Sequence, residues 1–109
     1  MTDGLVDAGL DARARSMVRA VLARHPEVSE AKVFGSRALA RHRPESDVDL
    51  ALYGDVDEVL ANRIAGELDE LPLPYAFDVC AYPQIRYVPL REHIDRVGCR
   101  LFVRESTSP

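Results

Sequence analysis

The sequence predicts a two-layer α/β domain, a small sheet covered by helices, on three observations. Apolar residues recur with helical spacing in three separate segments, short runs of strand length lie between them, and Gly or Pro stands at most of the junctions. At 109 residues the chain suits one domain over residues 1–109, and 47% apolar against 29% charged residues suffices for a buried core without disulfides or a structural metal.

Residues 1–9 and 104–109 are small or polar and are expected to be loosely held ends. From Leu10, the positions Ala14, Met17, Val18, Val21 and Leu22 trace one helical face, and the segment must stop at His25-Pro26 because proline cannot continue a helix. Ala31 to Phe34 reads as a strand that runs into the turn Gly35-Ser36. A short helix is expected from near Arg37, closed by Pro44.

Asp47 to Tyr53 is the next strand. Its alternation puts Val48, Leu50 and Leu52 toward the core and Asp47, Asp49 and Ala51 on the opposite face, and Gly54 ends it. Asp55 with Glu58 resembles a capping box. The stripe Val56, Val59, Leu60, Ile64, Leu68 and Leu71 then forms a helix that stops before Pro72. Tyr75 to Tyr82 alternates as a third strand, with Phe77 and Val79 on one face and Asp78 and Cys80 on the other. Arg86 to Val97 is expected to be helical through Val88, Leu90, Ile94 and Val97, with Gly98 as terminator and Leu101 to Val103 as a last edge strand. Element order alone leaves strand direction open.

The formal net charge of -4 removes the general attraction on which nonspecific nucleic-acid binding rests, so no strong nucleic-acid binding is expected. Arg37, Arg41 and Arg43 are nevertheless gathered between the Gly-Ser turn and the aspartates, where they suit either a solvated loop or phosphate groups. Cys80 and Cys99 have no metal-ligand spacing and are expected to be reduced and buried. No segment approaches the roughly 20 apolar residues of a membrane helix, and a cytoplasmic location is expected. His25, His42 and His93 read as surface or helix-face residues and receive no role. Tyr53, Tyr75, Tyr82 and Tyr87 read as strand and core residues.

The chemistry lies in the aspartates. Residues two apart on a strand have side-chain roots roughly 6.5 Å apart on one face, so Asp47 and Asp49 can lean together within an apolar run where solvated acids are unexpected. Mg²⁺ takes carboxylate, phosphate and water oxygens, and two such ions in phosphoryl-transfer sites lie about 3.5 to 4 Å apart. Asp47, Asp49 and Asp78 supply carboxylates in the required number. Gly35 lets a backbone approach a phosphate closely, and amides at a helix start aim donors at it, with the Ser36 hydroxyl beside them.

In this combination and order, Phe34-Gly-Ser-Arg-Ala, Pro44-Glu-Ser-Asp-Val-Asp-Leu and Phe77-Asp-Val resemble the minimal nucleotidyltransferase domain of the polymerase-β-like superfamily. Leu90-Arg-Glu-His-Ile followed by Gly98 is similar to that group's closing helix. Ala40 is a mild departure, since members often carry glycine near that point. The resemblance implies the nucleotidyltransferase fold with a mixed sheet. It further implies that Gly35, Ser36 and Arg37 hold the triphosphate of ATP, that Asp47 and Asp49 bind two Mg²⁺ ions, and that Asp78 completes one metal site beside the attacking hydroxyl.

Small members of the group resemble the antitoxin half of HEPN/MNT toxin–antitoxin pairs, which transfer AMP from ATP to a tyrosine of the partner toxin. That implies a cognate HEPN toxin as partner. Larger relatives that modify antibiotics or RNA carry added segments for their acceptor, for which 109 residues leave no room. The alternatives are a non-catalytic antitoxin that neutralises a helical partner by binding, or a transferase for another acceptor. Arg37 to His42 and Arg86 to His93 match the loose Arg-x(4–6)-His spacing of the HEPN ribonucleases, but 14 basic residues produce such spacings by chance and those toxins are wholly helical.

Overall fold

The computed structural model describes residues 10–34 and 47–104. Helix α1, Ala12–Ala23, leads to strand β1, Val28–Phe34. Strand β2, Val48–Gly54, passes through helix α2, Glu58–Asp69, to strand β3, Phe77–Ala81. A short 3-10 turn, Tyr82–Gln84, then precedes helix α3, Val88–Val97, and strand β4, Cys99–Val103.

The four strands form one mixed sheet in the order β3-β2-β1-β4. β1 runs antiparallel to both β2 and β4, whereas β2 and β3 are parallel. A parallel pair needs a crossover, and α2 provides it. The expected mixed sheet is therefore present, with a strand direction that the order of elements had left open.

α1 and α2 bury their apolar stripes on one face of the sheet. Val18, Leu22, Ile64 and Leu68 are fully buried there against Val33 and Leu50. α3 packs on β1, and Ile94 is fully buried outside this main core. Ala51, expected on the face away from the core, is buried too, because that face is partly covered rather than open.

Local chemistry sets the ends of the elements. Asp11 caps α1 by accepting from the Ala14 amide at 2.8 Å. Asp57, not Asp55, caps α2 by accepting from the Leu60 amide at 2.9 Å, while Asp55 donates its amide to the Glu27 carbonyl and stays in the turn. Gly54 makes this turn possible with φ +117°, where a Cβ would collide with the Glu27 carbonyl oxygen. Pro89 stands in the first turn of α3, where the missing N–H costs no helical hydrogen bond, and Gly98 closes that helix.

Arg104, expected in the loose tail, is instead anchored. Its guanidinium donates to the carbonyl oxygens of Val28 at 2.9 Å, His25 at 2.9 Å, Ala23 at 3.2 Å and Leu22 at 3.3 Å. These include the Leu22 and Ala23 carbonyls at the end of α1, so one side chain ties α1 to both β1 and β4. Tyr87 also departs from expectation. It sits at the start of α3 and is 69% exposed rather than in the core.

Candidate active site

The register of the parallel pair sets Asp49 directly across from Asp78. Its first rungs are fixed by two hydrogen bonds: the Val48 amide donates to the Ala76 carbonyl at 2.8 Å, and the Phe77 amide donates to Asp69 Oδ1 at 3.3 Å. The second of these ties the start of β3 to the end of α2. Asp47, one residue before β2, is exposed and follows the same alternation as Asp49.

Asp49 is half-buried, and its carboxyl is pushed above the usual aspartate range, first by burial and then by the charges of Asp78 and Asp47. Among the described residues no hydrogen bond or ion pair joins a cation to any of the three acids. Among those residues, too, no group of three His, Cys, Asp or Glu side chains stands ready to hold a metal ion. The acids therefore form a registered pair with a third carboxylate beside it rather than a closed cage. Their donor set is all oxygen and, among the described residues, its charge is uncompensated, which fits a hard divalent cation.

Gly35, Ser36 and Arg37, and with them Arg41, Arg43 and Pro44, lie outside the described residues. Phe34, which precedes Gly35, pairs with Asp49 across the antiparallel β1–β2 ladder. The His93 ring meets Phe34 edge-on, with centroids 6.3 Å apart and an interplanar angle of 80°.

Further along the same face, Tyr53 stacks on Tyr82 at a centroid distance of 4.4 Å. Lys32 Nζ lies 5.2 Å from the Tyr53 ring centre, and the Arg91 guanidinium 5.1 Å from that of Tyr82. The Tyr82 hydroxyl donates to Asp95 Oδ1 at 2.6 Å. The Tyr53 hydroxyl is buried without a hydrogen-bond partner among the described residues, and its ionisation is pushed far upward, chiefly by burial. This aromatic stack joins β2, the 3-10 turn and α3 at the end of β2 away from the acids. An open cleft of about 430 Å³, lined by residues that include Gly54, Asp55, Leu60 and Arg63, lies at the other end of β2 and contains none of the acids.

Sequence reasoning missed Phe34, His93 and the Tyr53–Tyr82 stack. Phe34 was accessible to it in part, since alternation from Val28 puts Val28, Ala31 and Val33 in the core only if the strand is irregular near its start, and Phe34 then turns away. The partners of Phe34 and Tyr53 come from segments distant in sequence and leave no local signal.

A family model described as polymerase beta, nucleotidyltransferase, matches residues 17–107. No curated protein matches the sequence. Among solved structures, the chain is similar to a toxin–antitoxin crystal structure with AMP-PNP, at 19% identity and a TM-score of 0.67 over 84% of this chain and 74% of that one. It is similar to a structure of tri-AMPylated Shewanella oneidensis HEPN toxin in complex with MNT antitoxin, at 18% identity and a TM-score of 0.64 over 84% of this chain and 71% of that one. It also resembles a putative nucleotidyltransferase from Sulfolobus solfataricus, at 17% identity and a TM-score of 0.53 over 96% of both chains. At these identities the likeness concerns the fold.

Proposed function

Because the chain belongs to the polymerase beta nucleotidyltransferase family, matched over residues 17–107, we propose that it is a protein adenylyltransferase antitoxin that moves AMP from ATP to a tyrosine of a HEPN-type toxin. The observation that carries the reading is the Asp49–Asp78 register pair, with Asp47 beside it and no cation bonded to any of them among the described residues. A structural role would have paired the half-buried Asp49 or exposed it fully. The similar structures of a toxin–antitoxin with AMP-PNP and of an AMPylated HEPN toxin in complex with MNT antitoxin support the choice of nucleotide and acceptor.

In this reading Asp47 and Asp49 would hold Mg²⁺, with Asp78 completing one metal site, and Gly35, Ser36 and Arg37 would take the triphosphate. Mg²⁺ held there would supply charge stabilisation for the transferring nucleotidyl phosphate and the leaving pyrophosphate. Asp78 orients the tyrosine hydroxyl and accepts its proton as the oxygen bonds to the α-phosphorus and the bond to the β-phosphate oxygen breaks. Asp78 is exposed at an edge strand, where a docked protein acceptor can reach it. Among the described residues no helix is long and apolar enough to cross a membrane.

The test is transfer of label from ATP, labelled at the α-phosphate, to the candidate toxin with Mg²⁺ present. Labelled toxin, with the label mapped to a tyrosine, is the expected result. Tight complex formation without transfer would replace the enzymatic reading by neutralisation through contact alone.

A further inference from the structure

Helix α3 carries an anomaly on the side that it turns toward the sheet. Leu90, Ile94 and Val97 recur at i, i+4 and i+7 as its inward stripe, and His93 fills the remaining inward position at i+3. Ile94 is fully buried and the other three are half-buried. An imidazole at a half-buried position in an apolar stripe carries an N–H that is free to be donated to a ligand. Among the described residues His93 has no hydrogen bond or ion pair, and its one contact of note is the ring of Phe34.

Phe34 is in turn the cross-strand partner of Asp49, which pairs with Asp78. His93 thus stands one ring contact and one strand spacing from the acid pair, on the face where the acids lie. The edge-on geometry of the two rings builds no flat shelf for a nucleobase. It leaves the imidazole without a polar partner among the described residues, on the face of the sheet that carries the acids.

We propose that His93 contacts the bound nucleoside triphosphate by donating an imidazole N–H to a phosphate oxygen. The inference rests on the nucleotidyl-transfer reading above, and it assigns the last helix a part in nucleotide binding in addition to packing.

The experiment is calorimetric titration of the full chain with a non-hydrolysable ATP analogue and Mg²⁺, comparing wild type, His93→Phe and His93→Gln, with melting temperatures measured alongside. Phe keeps an aromatic contact with Phe34 but has no N–H, whereas Gln keeps a donor. The expected result is that His93→Phe weakens binding about ten- to a hundredfold, the loss of one hydrogen bond to a charged group, while His93→Gln stays within about threefold of wild type at an unchanged melting temperature. Equal binding by the two variants overturns the proposal, because the N–H is then irrelevant. Should both variants instead melt earlier and bind poorly, His93 is a packing residue and the proposal falls as well. Wild-type protein that binds no nucleotide sinks the parent reading and this one together, whereas binding that is insensitive to His93→Phe sinks this one alone.

Discussion

Asp49 and Asp78 are register partners in the only parallel pair of the described sheet, so two carboxylates from strands separated by a helix are held side by side on one face. Rigid strands prevent the two from relaxing apart. The half-buried Asp49 carboxyl consequently bears a penalty for its charge, from burial first and from Asp78 and Asp47 after it. Stability is given up at this spot, which is the usual mark of a site kept for chemistry.

Asp49→Asn keeps the shape and removes the charge. Transfer is expected to fall on the order of a hundredfold or more, in line with the loss of a group that organises charge in the reacting complex. The melting temperature at neutral pH is expected to stay equal or rise. Transfer at the wild-type rate would remove Asp49 from the site.

The same residue sets a pH dependence whose sign is fixed. A raised folded-state value means that the native protein holds this proton more tightly than the unfolded chain does. Above the folded value the charge penalises the native state, and as pH falls through that value the proton is taken up and the penalty disappears. The advantage of Asp49→Asn over wild type should therefore be largest at neutral pH and shrink on acidification. Paired thermal melts from neutral to acid pH check this, and an advantage that grew with acid would contradict the raised value.

Much of this arrangement was legible in the sequence, for reasons that are local. Period-two alternation alone places Asp47 and Asp49 on one face, and Pro26, Gly54 and Gly98 mark element ends because proline lacks an N–H and glycine tolerates close approach. What was illegible depends on tertiary placement. The rung that pairs Asp49 with Asp78 is set by how α2 packs and by the Asp69 carboxylate that receives the Phe77 amide. The sequence pattern points to Asp55 as the cap of α2, but the cap is Asp57, because the positive φ of Gly54 delivers the Asp55 amide to the Glu27 carbonyl. The contact of Phe34 with His93 joins residues from opposite halves of the chain.

Arg104 is expected to matter for stability and not for chemistry. Its four carbonyl acceptors span the end of α1 and the start of β1, all remote in sequence from β4. Arg104→Ala should destabilise by about 1.5–3 kcal/mol, the range for hydrogen bonds made by a charged donor, seen as a lower midpoint in urea unfolding. Nucleotide binding by the folded variant should be unaffected.

Gly54→Ala forces a Cβ onto a backbone with φ +117° and into the Glu27 carbonyl oxygen, with the Ser29 amide nitrogen 2.9 Å away on another side. Neither obstacle is the end of a flexible side chain, so the turn between β2 and α2 must shift. A loss of about 2 kcal/mol or more is expected, measurable by chemical denaturation. An unchanged midpoint would mean that the turn adapts.

Cys80 offers a chemical reporter on the acid pair. It lies two residues beyond Asp78 on β3, and its thiol is pushed up to about 11 by burial first, then by the charges of Asp78, Asp49 and Glu58. At pH 8 only about one thiol in a thousand would be thiolate, against roughly one in four for an unperturbed cysteine, and thiolate is the reactive form. Alkylation at Cys80, located by peptide mass spectrometry to distinguish it from Cys99, should be slow. Asp78→Asn should speed it by a few-fold only, because burial is the larger cause and remains. Divalent cation held by the acids should act in the same direction, since it offsets the same negative charge. A Cys80 that reacts as fast as a free thiol would show the β3 edge to be open, and a rate indifferent to Asp78→Asn would separate the thiol electrostatically from the acid pair.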